Sequence, residues 1–380
     1  MYNFPVTEDE KIILDLARDI LEKELKPRVA ECDEKGEFPE EVFQTLYKAG
    51  LYGLDVPQEY GGAGISHETA FKLNEMMAWY DAGFAFSFRL ASYVANNVYI
   101  AGSEYLKQYV SDLILAGKKG AFCLTEAEAG SDAAAIRTTA VRDGDEYVIN
   151  GVKTFISNGP IADFYIVLAT INRELKHKGI TMFLVERDRG VQVGKVENKM
   201  GLKSSVTSEV IFDNVRIPAD HLIGVEGRGF NIAMKDMESV RPTSMTYVVG
   251  LMQRALDEAV AYSKERRTFG APIIRNQGLG FMLADMLKTI QVSRATLSDV
   301  ARKLDAGEPL NGLGSSAKIF ISEAAMGVTS DAIQVLGGFG YMKEYPVEKL
   351  LRDAKIFSIF EGTNQIQRNI LAGMLSYQKK

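Results

Sequence analysis

The hydrophobic period changes twice along the chain, and this constrains the fold more than any other feature of the sequence. Apolar positions recur at helical spacing through about residue 120, at every second residue between about Ala121 and Pro218, and at helical spacing again from Gly229 onward. A pattern of one period does not settle into the other element, so the order is α, then β, then α. The opening stretch VTEDEKIILDLARDILEKELKPRVAE predicts one helix, with Thr7 and Glu10 as a capping box and Ile12, Leu14, Leu16, Ile20, Leu21 and Leu25 near helical spacing. A second helix fits PEEVFQTLYKAG, with Pro39 in its first turn and Gly50 just past its end. Helix resumes around Leu73–Met77 and through Ala91–Gly117. In the β region, Asp143-Gly144 and Asn150-Gly151 each read as a turn dipeptide between β-favouring residues. Further strands fit DFYIVLATI, GITMFLVER, GVQVGKV and SEVIFDNVRIP, and no helices alternate with them, which predicts an antiparallel sheet. Long helices then fit SMTYVVGLMQRALDEAVAYSKER and NQGLGFMLADMLKTIQVSRATLSDVARKLDAG.

Composition narrows the function classes. The chain has 380 residues, 46% hydrophobic and 25% charged, enough to bury a large core. With 44 Lys and Arg against 50 Asp and Glu, and no basic cluster, nucleic acid is not an expected partner. Cys32 and Cys123 lie far apart, and His67, His177 and His221 are scattered, so spacing assembles neither a metal site nor a catalytic triad. The longest near-continuous apolar run, Phe164 to Ile171, is far short of the roughly 18 residues of a membrane span, and the N-terminus lacks a signal-peptide pattern. A cytoplasmic protein without a membrane span is therefore expected. VLGGFGYM follows a helical stretch rather than a strand, which argues against a dinucleotide-binding fold. Acid and base chemistry must then rest on carboxylates.

Three segments could carry chemistry. AFCLTEAEAGSDAAA joins the first helical region to the first strands and gathers Thr125, Gly130, Ser131 and Asp132 in a polar turn that could face a pyrophosphate or a heterocycle edge, or be a plain surface turn. QVLGGFGYMKEYPVEKLLRDAK places Gln334, Gly337, Gly338 and Gly340 after a helical run, where backbone can approach a ligand or simply cap a helix. DAKIFSIFEGTNQIQRNIL puts a lone carboxylate, Glu361, between Phe360 and Gly362, where helix capping by Thr363 is the plainer account.

Taken together, these segments resemble the acyl-CoA dehydrogenase family. Its first pattern stands complete as Cys123 to Asp132, and its second as Gln334, Gly337, Gly338, Gly340, Glu344, Lys349 and Asp353. The resemblance implies an α+β fold: an N-terminal helical domain (1–120), a middle antiparallel β domain (121–225) and a C-terminal four-helix bundle (226–380). It implies FAD, an acyl-CoA substrate oxidised to its 2-enoyl form, a homotetramer built as a dimer of dimers, and electron-transferring flavoprotein as electron acceptor. Glu361 matches the base of the short- and medium-chain branch, taking the α-proton as the β-hydride passes to flavin N5. Other branches carry the base where Val240 stands here; Glu238, about 200° round a helix from it, should not substitute.

The same resemblance assigns Phe122, Leu124, Thr125, Gly130, Ser131, Phe155, Ile156 and Ser157 to the flavin. Arg266, Thr268, Phe269, Gln277, Gln334, Gly337 and Gly338 match positions that grip pyrophosphate and adenosine, partly on a neighbouring subunit, and Thr363 and Gln365 complete the flavin contacts. Ser131, Glu238, Arg241 and Gly362 match substrate contacts. Arg89 falls near the floor of the acyl pocket and is expected to snorkel outwards, or else to meet a polar acyl tail. The acyl group is expected to be short or otherwise unusual, with dicarboxylyl, cyclic and aryl thioesters as alternatives and catalysis possible in either direction. An acyl-CoA oxidase fits less well, being longer and usually bearing a peroxisomal ending where this sequence has SYQKK. A flavin monooxygenase or nitroalkane oxidase would lack or replace Glu361, and a silent acyl-CoA-binding paralogue would have no use for it.

Overall fold

Thr7 and Glu10 form the expected capping box at the start of α1 (Glu8–Ile20), each side chain accepting from the other residue's backbone N–H at 3.2 and 2.9 Å. The computed structural model that shows this describes residues 6–376; Met1–Pro5 and Tyr377–Lys380, including most of the SYQKK ending, lie outside the described residues. The expected single helix does not run through to Glu31. Its ladder widens to a π turn at Leu21–Leu25 and tightens to a 3-10 turn at Lys26–Arg28 before α2 (Val29–Lys35). Pro27 supplies the reason, since it lacks an N–H and its ring crowds the carbonyl one turn back. Pro39 caps α3 (Glu40–Lys48) rather than entering it. Side chains of Ser66, Asp81 and Ser103 then cap α4 (His67–Tyr80), α5 (Ala82–Ala101) and α6 (Glu104–Leu115).

The middle region is an eight-stranded sheet: β1 (Gly120–Cys123), β2 (Thr139–Asp143), β3 (Glu146–Ser157), β4 (Phe164–Thr170), β5 (Ile180–Glu186), β6 (Gln192–Val196), β7 (Thr207–Pro218) and β8 (Leu222–Ile223). The order is β6-β7-β3-β2-β4-β5-β8, with β1 also on β4. Two features depart from the sequence expectation. The sheet is not wholly antiparallel: β1 pairs parallel with β4, and β2 touches β4 in the same sense at Thr139. The long loop 124–138 returns the chain without reversing it, which a tight turn cannot do. Nor does Asn150-Gly151 turn the chain. It lies inside β3 at a register shift against β7, where a Cβ on Gly151 would meet Thr138 Oγ1 at 2.3 Å.

Every residue of β4 and β5 is buried, because each face meets a different core. Phe164, Ile166, Leu168, Met182 and Leu184 face the helices, while Tyr165, Val167, Phe183 and Val185 face the sheet's own core. The C-terminal region comprises α7 (Gly229–Glu265), a small ribbon of β9 (Arg267–Thr268) and β10 (Ala271–Pro272), then α8 (Gln277–Asp305), α9 (Leu313–Leu336), α10 (Val347–Ala354) and α11 (Asn364–Ser376). Here α7, α8 and α9 pack on one another, and α11 lies on α9. By length and mean hydropathy, Leu313–Tyr341 is apolar enough to cross a membrane, against the expectation drawn from uninterrupted apolar runs. Its buried Lys318, Ser322 and Thr329 and its packing on α7, α8, α10 and α11 place it inside the bundle.

A buried ionic group ties the three regions together. Lys349 on α10 reaches Asp81 at 2.9 Å and Asp353 at 2.5 Å; Asp81 caps α5 and accepts from Ser204, while Asp353 accepts the Leu202 backbone N–H at 2.6 Å. Because each charge has a partner and further hydrogen bonds, this network fixes the geometry between helices and sheet.

Candidate active site

Between α5, the sheet edge, α7 and the turn before α11 lies a cavity of about 360 Å³. One face of α5 supplies Phe86, Leu90, Tyr93, Val94 and Asn97, positions that recur at helical spacing. The β1 end and following loop supply Phe122, Leu124, Thr125, Gly130 and Ser131, and β3 supplies Phe155 and Ser157. Val240 and Arg241 come from α7, and Phe360, Glu361 and Gly362 from the turn. Ten of the residues assigned from sequence thus meet in one place.

The loop after β1 is held firmly. Buried Lys153 donates to Glu126 at 2.8 Å and to the Leu124 carbonyl at 3.0 Å, Glu126 accepts the Arg137 and Thr138 backbone N–H groups, and the Thr154 N–H donates to the Thr125 carbonyl at 2.9 Å. Phe155 sits at a bulge with φ of 58° and is 64% exposed, its ring lining the cavity. The next residue, Ile156, turns its side chain, 2% exposed, into the sheet core and leaves only its backbone toward that end of β3.

The turn carrying Glu361 is pinned from three directions. Arg241 Nε donates to the Glu361 carbonyl at 3.3 Å, Gln367 Nε2 donates to the Gly362 carbonyl at 3.1 Å, and buried Lys318 Nζ donates to the Phe357 carbonyl at 3.1 Å. Gln367 is itself held by the Ser315 hydroxyl at 2.9 Å. Glu361 adopts φ of 54°, a strained conformation for a side-chain-bearing residue, and its Oε2 is buried with no partner among the described residues. Burial pushes its carboxyl up to about 7, outweighing the Ser244 hydroxyl and the Lys318 and Arg241 charges that favour ionisation. Burial also pushes Lys318 down to about 8. A carboxylate of ordinary acidity is a weak base toward a carbon acid; one that titrates near neutrality in an apolar pocket is suited to that task.

Other assigned residues lie elsewhere. Thr363 caps α11, accepting the Ile366 N–H at 3.2 Å, and Gln365 is exposed. Glu238 is exposed on α7 and does not line the cavity, whereas Val240 does. Arg266, Thr268, Phe269, Gln277, Gln334, Gly337 and Gly338 form no part of the cavity wall; most are exposed, and Arg266 lies 6.0 Å from the Phe339 ring, beside the Gly337-Gly338 turn. Arg89 does not snorkel. It is 1% exposed, pairing with Asp55 at 2.6 Å and donating to Asn74 at 3.1 Å, because a neighbouring carboxylate makes burial of the guanidinium tolerable.

The cavity fits FAD on its chemistry. Thr125, Ser131 and Ser157 bring hydroxyls to it, and Phe155 offers a flat apolar face that no described residue covers. Three family models account for nearly the whole chain: the acyl-CoA dehydrogenase N-terminal domain over residues 7–118, the middle domain over 121–215 and the C-terminal domain over 227–375. The chain belongs to the acyl-CoA dehydrogenase family. It is 40% identical over 372 residues to a cyclohexane-1-carbonyl-CoA dehydrogenase of Geobacter metallireducens, covering 97% of this chain and 98% of the relative. Among solved structures it is similar to butyryl-CoA dehydrogenase from Megasphaera elsdenii, with a TM-score of 0.94 and 38% identity over 99% of this chain and 100% of that one. It is also similar, with a TM-score of 0.93 and 38% identity over 100% of both chains, to a chain of a structure described as an electron transferring flavoprotein of Acidaminococcus fermentans. Membership makes this acyl-CoA dehydrogenase homologue an FAD-dependent oxidoreductase acting on CH–CH groups.

Sequence reasoning missed Asp236, Ser244, Lys318 and Gln367. Ser244 follows Arg241 by three residues on one helix face, a signal that was available. Lys318 stands alone in the apolar stretch SSAKIFISEAAMG, and a lone cation at a core position of a helix is a second such signal.

Proposed function

We propose that the chain dehydrogenates a short or cyclic acyl-CoA thioester, or reduces the corresponding 2-enoyl-CoA, with Glu361 moving the proton at the α-carbon. The observation that carries this reading is the Glu361 Oε2, buried without a partner among the described residues at the wall of an apolar cavity. FAD bound here would be held by Thr125, Ser131 and Ser157 with Phe122 and Phe155 beside it, and would supply the hydride acceptor for the β-carbon. Glu361, kept near neutrality by its burial, takes the α-proton in one direction and returns it in the other. The pinned backbone of Glu361 and Gly362 holds the base in place while the cavity's apolar walls exclude water. Ser131, Arg241 and Gly362 line the cavity the thioester would enter, and the exposed Glu238, three residues before Arg241 on α7, would stand toward the CoA moiety outside it.

The exposed group around Arg266, Gln277, Gln334, Gly337 and Gly338 supports a homotetramer, a dimer of dimers in which a second copy completes the FAD site. Electrons then leave to an electron-transferring flavoprotein, and the enzyme works in the cytoplasm within domains spanning 1–120, 121–225 and 226–380. Aromatic lining by Phe86, Tyr93, Phe230 and Phe360 supports a compact or ring-bearing acyl group. A dicarboxylyl chain finds less support, because Asp55 already neutralises Arg89.

Anaerobic titration of the yellow holoprotein with butyryl-, octanoyl-, glutaryl- and cyclohexane-1-carbonyl-CoA tests the reading through bleaching of the flavin. Glu361→Gln is expected to bind FAD and thioester and to lose bleaching; bleaching retained in that variant removes Glu361 as the base and revives no silent paralogue. Equal rates on straight C8 to C12 chains would sink the assignment of a compact acyl group.

A further inference from the structure

Asp236, a buried carboxylate on α7, lines the same cavity as Glu361 and adds to the upward shift of its carboxyl. Two amides from α5 hold it: Asn96 Nδ2 donates to one carboxylate oxygen and Asn97 Nδ2 to the other, both at 2.6 Å. No cation is among the groups that set its acidity, and burial pushes it up to about 7. Asn97 also lines the cavity and is 1% exposed; its Nδ2 donates further to the Val94 carbonyl at 3.3 Å, while its Oδ1 is buried without a partner among the described residues. The wall here therefore carries one unpaired acceptor, Asn97 Oδ1, beside a carboxyl whose oxygens each accept one amide, with the Asn97 N–H groups already committed to Asp236 and Val94. Buried acceptors left unpaired are costly, and apolar residues of similar size would fill the same space without that cost. A donor on the ligand resolves the imbalance.

We propose that Asp236 and Asn97 form an acceptor subsite that takes a neutral O–H or N–H donor of the bound acyl-CoA and rejects acyl groups ending in a carboxylate. This rests on the reading of the cavity as the thioester site. The donor has two chemical sources, a hydroxyl on the acyl group or an amide N–H of the pantetheine arm, and both meet the same oxygens. Rejection follows from desolvation and charge, since a carboxylate tail brought beside Asp236 would place two carboxyls in one desolvated wall whose immediate partners, the Asn96 and Asn97 amides, are neutral. It also follows from hydrogen bonding, because a site built for a donor discriminates strongly against ligands that lack one.

The test measures binding of butyryl-, 4-hydroxybutyryl- and glutaryl-CoA to the Glu361→Gln holoprotein, which holds thioester without turnover, with and without Asp236→Asn. If the donor is on the acyl group, 4-hydroxybutyryl-CoA binds at least tenfold more tightly than butyryl-CoA and Asp236→Asn levels the two. If the donor is the pantetheine amide, Asp236→Asn weakens butyryl- and 4-hydroxybutyryl-CoA together by at least tenfold. Glutaryl-CoA is the weakest ligand in either case, and gains in Asp236→Asn. Affinities that stay within twofold, or glutaryl-CoA bound as tightly as butyryl-CoA, overturn the subsite. Asn97→Ala, which removes the unpaired oxygen by a different change, repeats the measurement should Asp236→Asn fail to fold. Bleaching of the wild-type flavin by butyryl-CoA is scored separately: its absence overturns the dehydrogenase reading, whereas its presence with unchanged affinities overturns only the subsite.

Discussion

Glu361 and Gly362 both adopt left-handed backbone, with φ of 54° and 83°, and the Glu361 Oε2 is buried without a hydrogen-bond partner among the described residues. With its carboxyl raised from 4.5 to about 7, Glu361 is mostly protonated below neutrality. In the dehydrogenation direction kcat/KM should rise with pH through about 7 and then level, and Glu361→Gln should abolish that limb; a profile flat from pH 5.5 to 8.5 would remove Glu361 as the titrating base. The same shift has a stability sign. Between about pH 4.5 and about 7 the native state holds a proton that the unfolded chain has released, so stability falls as pH rises through that window and Glu361→Gln flattens the fall in thermal melts. Gly362→Ala places a methyl 2.9 Å from Gln367 Nε2 at positive φ, and should cost about 1 kcal/mol or more by denaturant titration. The carboxylate itself was legible, as a lone acid between Phe360 and Gly362. Its supports were not: the lone cation Lys318 marks a core position without naming its partner, Gln367 shows only as a polar position, and both act on carbonyls of a turn brought to them by the fold.

At the scale of elements, α5 carries both a wall of the cavity and the most deeply buried guanidinium. Arg89 is held by Asp55 from the loop before α4, at 2.6 Å, so removing that carboxylate strands a charge in the core. Asp55→Asn should therefore destabilise the protein by about 3–5 kcal/mol, and Arg89→Met in that background should recover much of the loss. Chemical denaturation of the single and double variants checks this, and equal stability of Asp55→Asn and wild type would remove the pair as a structural element. Local chemistry made most elements legible: the Thr7 and Glu10 box, the Asp143-Gly144 turn and the unbroken apolar runs of β4 and β5 form where their residues require. Where the expectation failed, a distant contact decided the outcome. Gly151 bulges because Thr138, just before β2, approaches it, and Arg89 stays inside because Asp55 meets it there. Neither partner is visible in a local window.

For the whole molecule, the surface beyond the cavity carries the remaining argument. Phe269 is wholly exposed at φ of 51°, and Tyr341 is 80% exposed on the turn that also presents Gly337, Gly338 and Phe339 close to Arg266. Soluble chains rarely leave large rings uncovered on a polar rim unless something binds there. These are also residues whose types suit a dinucleotide: a guanidinium for phosphate, open glycine backbone and aromatic faces for a base. A second copy that covers this surface would bury the rings and present those groups to the cofactor, so assembly and FAD retention should be linked. Sedimentation should show a homo-oligomer that releases flavin as it dissociates on dilution. Replacing Phe269 and Tyr341 together by serine should shift the species toward monomer and weaken FAD retention at least tenfold, with the circular dichroism of the chain unchanged. A monomeric wild-type protein that keeps its flavin at nanomolar concentration would separate the two properties and return this surface to another partner.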